Sequence, residues 1–177
     1  GSEDPERKKR TEPYLMPVPV NAELRGYQQE GLSWLMFLRQ HGLHGVLSDD
    51  MGLGKTLQTL CCLAADQHEQ RASGNERPLL VICPSSLVGH WSHEATHYCP
   101  SLAEQGISMY FGPDRKLVKR GLIITSYEVA RNDIHLLEPI SWSYVVLDEG
   151  HVIRNCKTKT AQAIKSLRAD HRLILSG

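Results

Sequence analysis

Apolar residues recur along this chain in two alternating rhythms. From Leu24 the spacing is helical: Leu24, Tyr27, Gly31, Leu35 and Leu38 follow at three- and four-residue steps, with Trp34 alongside. Short, nearly continuous apolar runs then take turns with helical stretches. The runs are Gly45-Val46-Leu47-Ser48, Leu79-Leu80-Val81-Ile82-Cys83, Ile107-Ser108-Met109-Tyr110-Phe111, Leu122-Ile123-Ile124-Thr125, Tyr144-Val145-Val146-Leu147-Asp148 and Leu173-Ile174-Leu175-Ser176. A strand covered on both faces reads as such a run. Helical spacing fills residues 55–70, with Leu57, Leu60, Cys61, Ala64 and His68, the stretch after Ser86, and 157–168, with Ala161, Ile164 and Leu167. Strands alternating with helices predict an α/β fold, a parallel sheet flanked by helices.

Several runs end alike. Ser48-Asp49-Asp50, Pro84-Ser85-Ser86, Thr125-Ser126, Asp148-Glu149 and Ser176-Gly177 put polar or small residues at the carboxyl ends of the strands. In a parallel sheet those ends share one edge, where open α/β sheets bind ligands. The pattern therefore predicts a polar cleft assembled from distant segments. Residues 1–20 carry Pro5, Pro13, Pro17 and Pro19 among charges and read as a disordered or extended leader before a folded unit at 21–177. Gly1-Ser2 looks like a cloning remnant. Arg7-Lys8-Lys9-Arg10 is either a solvated tail or a nuclear-localisation patch.

The totals narrow the partners. A chain of 177 residues suits one domain. Lys+Arg and Asp+Glu both number 20, so net charge is zero and a nucleic-acid or membrane surface has to be local. Five cysteines without a C-x-x-C form neither a disulfide framework nor a zinc ribbon, and suit a reducing compartment. Cys61 and Cys62 read as small core residues of a helix. No run approaches the ~18 apolar residues of a membrane span, and the charged N-terminus lacks a secretory signal core.

Two stretches carry candidate chemistry of different kinds. Asp49-Asp50-Met51-Gly52-Leu53-Gly54-Lys55-Thr56 follows a predicted strand and opens a predicted helix. In that context glycines let backbone N–H groups turn around a phosphate, and the helix N-terminus adds partial positive charge. Lys55 would reach the β- and γ-phosphates of ATP, and the Thr56 hydroxyl would bind Mg²⁺. The pattern usually begins with glycine; Asp49 stands there instead. The strand at 144–148 runs into Asp148-Glu149-Gly150-His151, where Asp148 would hold the metal and Glu149 would orient and deprotonate the attacking water. The second stretch, His93-Glu94-Ala95-Thr96-His97, fits the H-E-x-x-H zinc signature. On a helix, however, Leu87, Val88, Trp91, Ala95 and Tyr98 share the core face, and His90, His93 and His97 group opposite, toward solvent. The Gly-x-x-His extension that would bring a third ligand is also missing. The histidines are expected to be a solvated face.

With these motifs placed, the chain resembles the first RecA-like lobe of a Swi/Snf-type chromatin-remodelling ATPase, among the superfamily-two helicases. The resemblance covers about 21–177. Leu24-Arg25-Gly26-Tyr27-Gln28 is similar to the adenine-reading segment, LSDDMGLGKT to motif I, and ICPSSL with Trp91-Ser92-His93-Glu94 to motif Ia. ITSYE matches motif Ib and DEGH motif II, followed by Ile153-Arg154-Asn155; Leu175-Ser176-Gly177 begins motif III. The resemblance implies a P-loop NTPase that couples ATP and Mg²⁺ to translocation along double-stranded DNA without strand separation, in the nucleus. It assigns nucleotide contact to Arg25, Gln28, Asp50, Met51, Gly52, Leu53, Gly54, Lys55, Thr56 and Leu57. Catalysis falls to Lys55, Asp148 and Glu149, coupling to His151 and Ser176, and metal binding through ATP to Thr56 and Asp148. Pro84, Ser85, Thr125, Ser126, Arg154 and Asn155 would lie near the DNA backbone, with hydroxyls and one cation suited to phosphate.

LHGVLSDDMGLGKTLQT, GHWSHE, SYEVARND and Gly150 look most like the branch that strips TATA-binding protein from promoter DNA. DEGH with IRN and HRLILSG also occurs in transcription-coupled-repair (Cockayne-type) remodellers, which usually read Asp-Glu-Met where this chain has Asp49-Asp50-Met51. A nucleosome remodeller of the same family, an NTPase that never touches DNA, and a non-catalytic docking module stay open as alternatives. A second RecA-like lobe in cis, carrying arginine fingers, is expected beyond Gly177, so the lobe alone is expected to be inactive.

Overall fold

The computed structural model describes residues 13–48, 54–150 and 158–176. The apolar runs become six strands: β1 (Gly45–Ser48), β2 (Leu79–Cys83), β3 (Ile107–Tyr110), β4 (Leu122–Ser126), β5 (Ser141–Asp148) and β6 (Arg168–Ser176). They form one parallel sheet in the order β1-β6-β5-β2-β4-β3. The helices are α1 (Gly26–Gln40), α2 (Lys55–Ala72), α3 (Val88–Tyr98), α4 (Pro100–Gln105), α5 (Tyr127–Asn132), α6 (Ile134–Leu137) and α7 (Lys159–Lys165).

Strand periodicity of two sorts the core into two layers. Leu79, Val81, Cys83, Leu122, Ile124, Tyr144 and Val146 face α1, α2, α3 and α4, which supply Leu32, Leu60, Trp91 and Leu102. Leu80, Ile82, Ile123, Val145 and Leu147 face α5, α6 and α7, which supply Val129, Leu137 and Ile164. β2 and β4 are therefore buried at every position, as their continuous apolar runs require. Cys61 and Cys62 are fully buried in α2. The two edge strands depart from the run rule: Val46 on β1 and Met109 on β3 are exposed, because each edge strand has a neighbour on one side only.

Two boundaries differ from the sequence expectation. β5 begins at Ser141 rather than Tyr144, and β6 at Arg168 rather than Leu173. The ladder continues past the apolar runs, pairing Ser141 with Arg168 and Trp142 with Ala169. Polar contacts hold that end: Arg77 pairs with Asp170, and Arg168 donates to the carbonyls of Glu138 and Pro139. The helix expected over 157–168 is α7, capped by the Thr158 hydroxyl accepting from Ala161 N–H. Residues 13–20 form no helix or strand and lie against the body. Tyr14, Met16, Val18 and Val20 pack on the first core layer, and the Tyr14 carbonyl accepts from Gln29 Nε2 at 2.7 Å. Arg7–Arg10 lie outside the described residues.

The edge opposite the carboxyl ends holds a buried polar network. Asp66 of α2, fully buried, accepts from Arg39 Nε at 2.7 Å and from Ser143 Oγ at 2.6 Å. Beside it the His171 ring packs tilted against Tyr144, centroids 5.0 Å apart, with its Nδ1 buried and unpaired. Burial holds the His171 pKa below its ordinary value near 6.5, outweighing the attraction of Asp66. The unfolded chain therefore takes up this proton first, and stability rises with pH. The contribution of His171 is complete above about pH 6.5 and is lost as pH falls from there through the depressed folded value. Chemical denaturation at pH 7.5 and 5.5 is expected to show a lower midpoint in acid, and the difference to shrink in His171→Gln.

Candidate active site

Because every pairing in the sheet is parallel, all six strands bring their carboxyl ends to the predicted polar edge. β5 and β2 are neighbours whose following connections leave in opposite directions, to β6 on one side and toward β3 on the other. Such a switch point opens a crevice at the strand ends, and Asp148 stands there, at the end of β5.

Asp49, Asp50, Met51, Gly52 and Leu53 lie outside the described residues. Gly54 caps α2 with φ +89°, a conformation that costs glycine little and other residues much. A Cβ on Gly54 would also sit 2.2 Å from Gln28 Nε2, so a side chain there would have to displace the Gln28 amide. Gln28, 8% exposed, is held by its Oε1, which accepts the Arg25 N–H at 2.8 Å and turns the amide nitrogen toward Gly54. The adenine-reading candidates and the loop candidates thus meet: Arg25, Tyr27, Gln28, Gly54, Leu57 and Tyr98 line a cleft of about 310 Å³. Tyr98 carried no signal for this place in the sequence beyond its position on the core face of α3.

Beyond the cleft, Lys55 Nζ donates to the Ser176 carbonyl at 2.7 Å. One residue earlier on β6, the Leu175 carbonyl accepts from Gly150 N–H at 2.9 Å. Consecutive carbonyls of β6 therefore fasten the lysine of the candidate phosphate loop and the turn after Asp148. Gly150 is required by close approach, because a Cβ there would lie 2.5 Å from Ile174 Cγ2. Glu149 adopts φ +56°, unusual for a residue with a side chain and costly by ~1–3 kcal/mol. His151, Arg154 and Asn155 lie outside the described residues.

Asp148 is the most constrained of the candidates. Its Oδ2 accepts from Trp91 Nε1 at 2.8 Å, its Oδ1 from Glu149 N–H at 3.0 Å, and its carbonyl from the Tyr127 hydroxyl at 2.7 Å. Sequence reasoning assigned Trp91 to the helix core and Tyr127 to a motif, and missed both contacts. The available signal was chemical: a fully buried indole N–H can only donate, so it must find an acceptor. The carboxylate also acts on its neighbours. Burial and then the Asp148 charge push the Tyr127 hydroxyl well above its ordinary value, and push the Cys83 thiol up to about 12.

The DNA-contact candidates divide. Ser85 is exposed in the 3₁₀ turn Ser85–Leu87 after β2, beside half-buried Pro84. Thr125 and Ser126 are buried, and both hydroxyls are engaged internally. Thr125 Oγ1 donates to the Tyr110 carbonyl at 2.7 Å, and Ser126 Oγ caps α5 by accepting from Val129 N–H at 3.1 Å. In this arrangement the two hydroxyls brace the strand end and start α5. In the HEATH segment, Trp91 and Ala95 are fully buried, while His90, His93 and His97 are exposed. His93 and His97 stack at 6.1 Å, and His90 pairs with Glu94 at 3.7 Å. Among the described residues, no group of three or more His, Cys, Asp or Glu is gathered to hold a metal. A phosphate-bound Mg²⁺ needs less: it keeps several waters and binds through one or two oxygen side chains, and the Thr56 hydroxyl and Asp148 carboxylate are donors of that kind.

A family model described as the SNF2-related domain matches residues 27–177. The TATA-binding protein-associated factor mot1 of Schizosaccharomyces pombe is 48% identical over 95% of the chain and 9% of its own length. The human TATA-binding protein-associated factor 172 is 47% identical over 96% of the chain and 10% of its own length. The chain thus spans about a tenth of the curated relatives it matches. The structure of the Sulfolobus solfataricus SWI2/SNF2 ATPase core in complex with dsDNA is 35% identical, with a TM-score of 0.79 over 92% of this chain and 34% of that one.

Proposed function

Because the chain belongs to the SNF2-related family, we propose that it is the ATP-binding lobe of a DNA-dependent ATPase that translocates on duplex DNA. The observation that carries this reading is the convergence of Lys55 and the Asp148-Glu149 turn on consecutive carbonyls of β6. A lysine at a helix N-terminus and two carboxylates at a neighbouring strand end are the parts that phosphoryl transfer to water requires.

In this reading Arg25, Gln28 and Leu57 hold the base in the cleft. Residues 50–54 and the first turn of α2 wrap the phosphates with backbone N–H groups, and Lys55 leaves the Ser176 carbonyl for the β- and γ-phosphates. Thr56 and Asp148 would hold Mg²⁺, which would supply charge neutralisation at the phosphates. Glu149 orients a water and takes its proton as the water oxygen bonds to the γ-phosphorus and the bridging oxygen leaves. His151 and Ser176 pass the nucleotide state onward. DNA lies along Pro84, Ser85, Arg154 and Asn155, held through its phosphates.

The relatives named for association with TATA-binding protein support a specific substrate: this protein removes TATA-binding protein from promoter DNA in the nucleus, with partner recognition by regions outside this chain. A second RecA-like lobe in cis completes the motor. Among the described residues, no helix is long and apolar enough to cross a membrane. The full-length protein should release TATA-binding protein from promoter DNA only with Mg²⁺–ATP, while the lobe alone should turn over ATP negligibly. Duplex-stimulated turnover without release would favour a repair or nucleosome remodeller. Turnover indifferent to DNA and to salt would overturn the DNA reading.

A further inference from the structure

Asp148 is gripped by two aromatic side chains from two separate elements, and neither carries a part in the chemistry above. Trp91 lies on α3 and is fully buried. Tyr127 opens α5. Their donors reach different parts of one residue: the indole N–H takes Oδ2 of the carboxylate at 2.8 Å, and the phenol O–H takes the backbone carbonyl at 2.7 Å. With Glu149 N–H on Oδ1 at 3.0 Å, both carboxylate oxygens and the main chain are fixed.

We propose that Trp91 and Tyr127 are positioning residues for the metal-binding carboxylate, holding Asp148 in the rotamer that presents its remaining lone pairs to Mg²⁺. The inference rests on the ATPase reading. A carboxylate free to rotate binds a metal–water shell with an entropic cost; one already clamped has lost that freedom in folding. Indole and phenol suit the task. Each is rigid, each gives one directional donor, and the indole has no lone pair with which to compete for the metal. A charge-assisted bond to a carboxylate is also about twice as strong as a neutral one. Partners that orient a metal ligand from behind typically contribute ~10–100-fold in metal affinity.

The test uses the full-length protein with Mn²⁺ as probe and a non-hydrolysable ATP analogue, reading free Mn²⁺ by electron paramagnetic resonance. Trp91→Phe keeps an aromatic ring, smaller than the indole, and deletes the N–H; the control below makes the same truncation. Its Mn²⁺ dissociation constant is expected to rise about tenfold, the lower end of that range, with metal-free nucleotide binding unchanged. Tyr127→Phe should raise it by a smaller factor. Trp142→Phe is the control: Trp142 is equally buried, but its indole donates to the Leu137 carbonyl in the other core layer. It should leave Mn²⁺ binding as in wild type. Unchanged Mn²⁺ affinity in a folded Trp91→Phe protein overturns the inference, as does a rise equal to that of Trp142→Phe. Should Trp91→Phe fail to fold, an unchanged Tyr127→Phe overturns it and a weakened one supports it. A wild type that binds no Mn²⁺–nucleotide overturns the ATPase reading itself, and is thereby told apart from the failure of this inference alone.

Discussion

Lys55→Ala in the full-length protein is expected to lower DNA-stimulated ATP turnover by ~10²–10³-fold or more, the cost of removing one fixed donor from a developing charge. The substitution deletes a cation that is already in place. In the structure Nζ is parked on the Ser176 carbonyl, at the end of the strand beside Asp148's own. In the proposed reading the lysine has a short path to phosphates seated on the first turn of α2, and its departure from Ser176 would report nucleotide arrival at the end of β6. Two consequences separate this effect from misfolding. The melting temperature should change little, since the core layers do not include Lys55. DNA binding without nucleotide should persist, since the proposed DNA strip lies at the end of β2 and after β5. Phosphate-release and DNA-binding measurements on one preparation check both. Retained turnover would remove the phosphate-loop reading of residues 49–56. Lys55→Arg should recover little, because a planar fork replaces a compact charge.

The fold was legible wherever burial on both faces left an unbroken apolar run. β2, β4 and the apolar half of β5 are such runs, and their polar successors announced the site edge. What escaped is instructive in physical terms. Ser141, Ser143 and Arg168–Arg172 are polar enough to read as loop, yet ladder pairing between two interior strands carries them into β5 and β6. The leader's Tyr14, Met16, Val18 and Val20 alternate with Pro13, Leu15, Pro17 and Pro19, a period-two pattern whose half-buried members pack on the core. Proline content masked that period. In the site, Gly54, Lys55 and Asp148 were nameable as candidates from the spacing of the phosphate loop and the strand-end acid, and Gln28 only through the resemblance. The grip of Trp91 and Tyr127 on Asp148 was not, because it depends on side-chain reach across three elements. Thr125 and Ser126 show what residue type leaves out: their hydroxyls suit phosphate contact, but type alone does not tell that each already has an internal partner.

Asp66→Ala is expected to cost ~3–5 kcal/mol of folding stability, the penalty for breaking a buried ion pair. That is about a fifth or more of what a domain possesses, since totals run about 5–15 kcal/mol. Asp66 joins three elements. Its carboxylate accepts from Arg39 on α1 and Ser143 on β5, and Arg39 is itself mostly buried and pairs also with Glu69. Truncation leaves the guanidinium with one partner, at the half-exposed side chain of Glu69, and strands the Ser143 hydroxyl in the core. The reason is desolvation, so removing both charges at once should be far milder. Arg39→Met with Asp66→Leu is expected to lose much less than the sum of the single changes, a coupling that a double-mutant cycle by urea denaturation reads directly. The network also lies away from the chemistry. Asp66 stands eleven residues along α2 from Lys55, about 16 Å at the helical rise. Ser143 stands five residues before Asp148 on β5, again about 16 Å. Asp66→Ala should therefore lower the denaturation midpoint while the ATP affinity of the remaining folded protein stays as in wild type. An equal loss of both would mean that the polar edge and the nucleotide edge of the sheet are held by one network rather than two.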